Sequence, residues 1–156
     1  MKTKRTSTAG HARPQPAQSL LPLWLRMGRE YNCRLQQWQL PINLTIPLLK
    51  LHLHADVSEP AALAEASSLP RQTMTFVLDA LEKRELAYRT PHPNDRRRKI
   101  IQLSPKGRKL ATALYKELLA FEAAALQSLG ETAAPMLHQL VARFTDALAA
   151  ENRRHA

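Results

Sequence analysis

The chain has 156 residues, of which 23 are Lys or Arg and 13 Asp or Glu, for a formal net charge of +10. At 44% hydrophobic residues it is too apolar to be disordered throughout, and its length suits one domain with extensions. Its one cysteine, Cys33, excludes an intramolecular disulfide, and no apolar run approaches the ~20 residues that span a bilayer.

The charge is unevenly placed. Residues 1–20 hold Lys2, Lys4, Arg5 and Arg13 and no acid, whereas ten cations and three anions between Glu82 and Lys109 give +7. From Leu110 onward four cations and five anions give −1. A basic region beside a near-neutral one suggests a polyanion-binding face and a separate packing region. The N-terminus lacks the apolar run of a signal peptide, so a cytoplasmic protein with no membrane association is expected.

Residues 1–18, rich in Thr, Ser, Ala, Gln and Pro, read as a flexible basic arm. The segment from Ser19 to Gln39 reads as a helix, with Ser19 as cap and Pro22 in its first turn. Trp24, Met27, Tyr31, Leu35 and Trp38 form a stripe along it at three- and four-residue steps. Pro41 ends it. Leu44-Thr45-Ile46-Pro47 opens a second helix running to about Ala55, with Thr45 as cap, Pro47 in the first turn, and an apolar face of Ile46, Leu48, Leu49 and Leu53.

Ser58 is placed to cap a short helix from Pro60 to Ala66, and Ser67-Ser68-Leu69 reads as a tight turn. Pro70 then starts a helix from Arg71 to about Arg84 whose buried stripe is Met74, Val77, Leu78 and Leu81, with Arg71, Gln72, Thr75 and Asp79 elsewhere around it. Two helices joined by so short a turn have helix-turn-helix geometry, in which the second enters the DNA major groove by its N-terminal end. That end carries Arg71, Gln72, Thr73 and Thr75, side chains that can pair with guanine, with adenine, or with a base edge or thymine methyl.

Leu86 to Leu103 reads as a β-hairpin. Leu86 and Tyr88 alternate with Ala87 and Arg89 on one arm, and Ile101 and Leu103 share a face on the other. Pro91-His92-Pro93-Asn94-Asp95 supplies the turn. Arg96, Arg97, Arg98 and Lys99 follow in a row, and four adjacent cations on a projecting hairpin repel one another unless an anion such as a phosphate backbone lies opposite. Asp95, two residues before Arg97, is expected to accept the Arg97 guanidinium and aim it into a narrow minor groove. The plainer alternative is a solvated basic turn.

Ser104-Pro105 opens a long helix with a stripe of Leu110, Leu114, Leu118, Phe121 and Ala125, which Gly130 breaks. A last helix, from Thr132 to about Asn152, carries Leu137, Leu140, Val141, Phe144 and Leu148 on one face.

The run Asp95-x-Arg97-x-x-x-Ile101-x-Leu103-Ser104-x-x-Gly107 resembles the wing signature of MarR-type winged helix-turn-helix transcription regulators, with Ser104 in place of the usual Thr. The resemblance covers about Leu40 to Leu110. It implies a mainly α fold with a small β-hairpin wing, divided into the arm 1–18, a dimerisation helix 19–40, a winged helix-turn-helix 41–104 and C-terminal dimerisation helices 105–152. It also implies a homodimer that binds double-stranded DNA with inverted-repeat half-sites, and a small phenolic or aromatic effector that relieves repression. The expected DNA-binding residues are Ser68, Pro70, Arg71, Gln72, Thr73, Thr75, Asp95, Arg96, Arg97, Arg98 and Lys99. Trp24, Tyr31, Trp38 and His54 are candidates for lining an effector crevice, and equally for plain packing.

Two positions depart from the family pattern. Glu85 stands where Gly is common at the end of the recognition helix, so it must adopt a left-handed conformation or the helix must end differently. Pro70 stands where a hydroxyl cap is usual and cannot contact a phosphate through a side-chain oxygen.

Other chemistry has less support. His52 and His54 lie two apart, on divergent faces of a helix, and so cannot chelate one metal ion together. Cys33, near Arg29 and Arg34, has the setting of an oxidant-sensing thiol, although an inert cysteine is the plainer reading. No nucleophile–base order, phosphate loop or paired carboxylates suggest catalysis, and no cofactor is expected. The competing functions are a sequence-indifferent architectural binder of nucleic acid, a redox-sensing regulator acting through Cys33, and an interaction protein whose basic wing meets an acidic partner.

Overall fold

Helix-forming runs separated by proline and serine turns produce six α-helices and one hairpin in the computed structural model, which describes residues 19–54 and 58–155. The basic arm and the expected helix end at Ala55 lie outside the described residues. The chain divides into two compact units, one ending at Thr45 and the other beginning at Ile46.

In the first unit, α1 spans Leu21–Leu35 and a 3-10 turn spans Gln36–Trp38. The Ser19 hydroxyl accepts the Leu21 N–H at 3.3 Å, but Leu20 occupies the cap position itself. The helix stops short of Pro41 because Gln39 turns into the left-handed region, with φ 49°. Of the expected stripe only Leu35 is buried; Trp24 and Met27 are exposed, with Leu21, Leu23 and Leu25 beside them.

The next helix, α2, spans Ile42–Leu53. It begins earlier than expected because the Pro41 carbonyl accepts the Leu44 and Thr45 N–H groups. Thr45 is therefore not a cap but a buried residue inside the helix, whose hydroxyl donates to the Pro41 carbonyl at 3.1 Å. Pro47 likewise stands inside the helix rather than in its first turn. The buried side runs through Leu44, Thr45 and Leu48 at helical spacing, which leaves Ile46 and Leu53 exposed instead of in the core.

In the second unit, α3 (Pro60–Ala66) and α4 (Arg71–Lys83) form the helix-turn-helix. Glu59, not Ser58, is the α3 cap residue, and no side chain completes that cap. The Ser58 carbonyl accepts the Ile101 N–H at 2.7 Å, so Ser58 extends the hairpin's hydrogen bonding. Between the helices Ser68 takes φ 53°, which reverses the chain within three residues. Met74, Val77, Leu78 and Leu81 are buried, as their spacing implies, together with Leu63 and Ala64 of α3.

β1 (Ala87–His92) and β2 (Asp95–Leu103) pair antiparallel. The alternation on β1 is the reverse of that expected: Ala87 is buried and Tyr88 exposed. Leu86 is buried as part of the helix exit, where its N–H bonds the Leu81 carbonyl, and so it does not set the phase of the strand. Ile101 and Leu103 share the buried face of β2.

α5 (Pro105–Gln127) begins with the Ser104 hydroxyl accepting the Gly107 N–H at 2.9 Å. A Cβ at Gly107 would collide with the Leu86 carbonyl, so glycine is required where α5 crosses the end of the recognition helix. Gly107, Ala111 and Leu114 are buried, whereas Leu118 and Phe121 are half-buried and Ala125 is exposed. Gly130, at φ 76°, turns the chain into α6 (Gly130–Arg154), which has no buried residue. No described helix is long and apolar enough to cross a membrane.

Candidate nucleic-acid interface

The recognition helix presents Arg71, Gln72 and Thr75 to solvent from its first turns, with Thr73 half-buried. The Thr75 hydroxyl donates back to the Arg71 carbonyl at 3.4 Å. Ser68 and Pro70, just ahead, are also exposed, and Pro70 occupies the cap position without a side-chain bond. One exposed side chain escaped sequence reading: Phe76 is 74% exposed, one turn beyond Gln72. Its lack of a place in the buried stripe was the available signal.

At the other end of α4, Glu85 does adopt the left-handed conformation, with φ 60°. Non-glycine residues rarely do so, and here the surrounding bonds hold it. The Ser104 hydroxyl donates to the Glu85 carbonyl at 2.6 Å, and the Lys106 ammonium donates to the Arg84 carbonyl at 2.9 Å and the Glu85 carboxylate at 3.1 Å. Residues at the start of α5 thus stabilise the exit that glycine would give more cheaply.

The wing's geometry revises the reading of its cations. Pairing runs regularly from Ala87 with Leu103 to Pro91 with Lys99, then jumps to His92 with Asp95. Arg96, Arg97 and Arg98 are the residues left without partners by this shift. A bulge of this kind bends the strand and re-aims its side chains. Asp95 does not hold the Arg97 guanidinium: its Oδ1 accepts the Arg97 backbone N–H at 3.0 Å. A short carboxylate reaches the amide two residues on more readily than the end of a long side chain, so Asp95 shapes the turn backbone. Arg97 and Lys99 are exposed. The side chain of Arg96 lies outside the described residues.

Two other arginines are engaged within the chain. Arg98 pairs with Glu59 at the start of α3. The Arg98 guanidinium beside Glu59 holds that carboxyl below its ordinary value, and Glu59 in turn raises Arg98. Arg89 pairs with Glu82 and, at 2.8 Å, with Asp79, while its backbone N–H donates to Glu82 at 2.8 Å. This clamp fastens β1 to α4 and offsets part of the negative charge that Asp79 and Glu82 would otherwise present to a polyanion. Neither pairing is visible locally in the sequence.

The residues proposed to line an effector crevice are drawn from both units. Trp24 and Tyr31 lie on α1 and Trp38 on the 3-10 turn, all in the first unit, whereas His54 follows α2 in the second. Trp24 and His54 are exposed and the other two half-buried. The Trp38 indole N–H is buried without a hydrogen-bond partner among the described residues. Cys33 is exposed on α1, and His52 approaches the Thr112 hydroxyl at 3.5 Å.

Residues 48–99 match the model of the MarR family. No curated protein sequence matches the chain. Among solved structures, MepR of Staphylococcus aureus in complex with DNA is similar at 25% identity and a TM-score of 0.70, covering 84% of this chain and 94% of that one. The transcriptional repressor CouR, bound to a 23-mer DNA duplex, is similar at 24% identity and a TM-score of 0.73, covering 90% of this chain and 99% of that one. The PcaV transcriptional regulator of Streptomyces coelicolor, in complex with its natural ligand, is similar at 20% identity and a TM-score of 0.71, covering 88% and 99%. The MarR family match spans the helix-turn-helix and most of the wing, and the fold of these winged helix-turn-helix transcription regulators is shared over most of the chain.

Proposed function

We propose that this regulator is a homodimeric, sequence-specific repressor whose grip on DNA is released by a small aromatic or phenolic effector. The observation that carries the DNA reading is the exposed polar start of α4 in the same unit as a wing whose bulge displays Arg97. Arg71, Gln72, Thr73 and Thr75 read base edges in the major groove, while Arg97 enters the flanking minor groove and Lys99 meets phosphate. Ser68 and Pro70 approach the backbone at the start of the helix. Arg98 contributes less than its position in the basic run suggests, because Glu59 already holds it.

The dimer reading rests on α6, where Leu137, Leu140, Val141, Phe144 and Leu148 are each at least 43% exposed along one face. Such a contiguous apolar face marks a protein contact, and a second copy meets it with the same surface. Two-fold symmetry then sets two inverted half-sites about one helical turn apart. Exposed Trp24 and the unpaired Trp38 indole N–H support an aromatic effector that accepts a hydrogen bond. The neighbour PcaV, which carries its natural ligand, supports a small-molecule effector in general.

Titrating a selected duplex and a scrambled one at several salt concentrations tests the DNA reading. A specific regulator binds the first well above the second, and both affinities fall as salt rises. Equal salt-sensitive affinities would identify an architectural binder, and absence of binding would remove nucleic acid as the partner. Loss of affinity on adding one member of a panel of aromatic acids tests the effector; unchanged affinity across the panel would count against it.

A further inference from the structure

Phe76 is the one large apolar side chain on the outward face of the recognition helix. It is 74% exposed, and the other exposed residues of α4 are Arg71, Gln72, Thr75, Asp79 and Lys83. The chain forgoes most of the stabilisation that burying a phenyl ring gives. The helix's own packing does not require an aromatic there, because its buried side is filled by Met74, Val77, Leu78 and Leu81.

The surroundings indicate what the ring meets. An apolar protein partner calls for a cluster of apolar neighbours, whereas Phe76 stands alone among hydrogen-bonding and cationic groups. Asp79, the acid on this face, is paired with Arg89, so the surface remains acceptable to a polyanion. The major groove has the complementary composition: polar base edges with one isolated apolar group per A·T pair, the thymine C5-methyl. Phe76 lies four residues after Gln72, so the two side chains are neighbours on the helix surface. Gln72 is suited to the N6 and N7 edge of adenine, which places an apolar contact on a neighbouring thymine within reach of the same helix face.

Resting on the DNA reading proposed above, we infer that Phe76 is a specificity determinant that contacts a thymine C5-methyl group beside the base read by Gln72. The contact adds discrimination against cytosine and deoxyuridine at that position and makes A·T content there part of the recognition sequence.

Deoxyuridine tests this directly, since it keeps every hydrogen-bonding group of thymine and lacks only the methyl. The full-length protein is titrated against its selected duplex and against duplexes in which each half-site thymine is replaced in turn. One replacement should weaken wild-type binding by about fourfold, the ratio corresponding to ~0.8 kcal/mol for one buried carbon. Phe76→Ala should bind the thymine duplex more weakly and should not distinguish it from the deoxyuridine duplex, whereas Phe76→Leu should retain part of the discrimination. Thermal melting of Phe76→Ala should match the wild type, because so exposed a ring contributes little to folding. Wild-type indifference to every replacement, or full discrimination by Phe76→Ala, would overturn the inference while leaving the DNA reading in place. Failure of the wild type to prefer any duplex would bring down both.

Discussion

The core beneath the recognition helix and the face of the last helix use the same residue types to opposite effect. Leu63, Met74, Leu81 and Leu114 are at most 1% exposed, so α3, α4, the wing and the start of α5 bury their apolar stripes within one chain. Leu137, Leu140, Val141, Phe144 and Leu148 on α6 have equally regular spacing, and each is at least 43% exposed. Periodicity therefore identifies an apolar face without saying whose surface covers it. The first region is complete within one chain, whereas the second is, on the reading proposed above, completed by another copy.

Truncating a core side chain should produce the largest effect on folding. Leu81→Ala should lower unfolding free energy by about 2–5 kcal/mol in chemical denaturation, since it opens a cavity at a fully buried position. A change below ~1 kcal/mol would show the core to be less complete than its burial indicates. Phe144→Asp should leave the fold intact, read by circular dichroism, and convert the protein to a monomer in sedimentation velocity. Losing the paired half-site contacts should then weaken DNA binding by about a hundredfold or more. A dimer that survives this substitution would place the subunit contact elsewhere.

The wing offers a smaller contrast between exposed and engaged arginines. Arg97→Ala should weaken operator binding by about tenfold, the loss of one well-placed charged contact. Glu59→Gln should release Arg98 and steepen the dependence of log affinity on log salt by about one further phosphate contact. An unchanged slope would show Arg98 already to be on DNA. Because Arg98 depresses the Glu59 carboxyl, the pair persists above the ordinary carboxylate value of 4.5 and is lost only as pH falls through the lower value of the folded state. The wild-type salt slope should therefore stay constant from neutral pH down to that range.

Much of this architecture was legible because it is local. The stripe Met74-Val77-Leu78-Leu81, the shared face of Ile101 and Leu103, and the Ser104 cap each depend on residues within a few positions of one another. What escaped depends on contacts distant in sequence. The Glu59–Arg98 pair spans 39 residues, and the Arg89 clamp links a strand to a preceding helix. Asp95 differs for a local reason: its spacing to Arg97 suits either the backbone amide or the guanidinium, and the short carboxylate reaches the amide more readily. Phe76 gives no such local signal, because a single aromatic outside the stripe has no periodicity to announce it.

The most direct test of the central claim is selection of the full-length protein against a pool of random duplexes, read by sequencing the enriched molecules. The expected result is an inverted repeat whose half-sites lie about one helical turn apart, as a two-fold dimer with α4 in successive major grooves requires. Recovery of duplexes with no shared motif would contradict sequence-specific regulation, and a single unrepeated site would contradict the symmetric dimer.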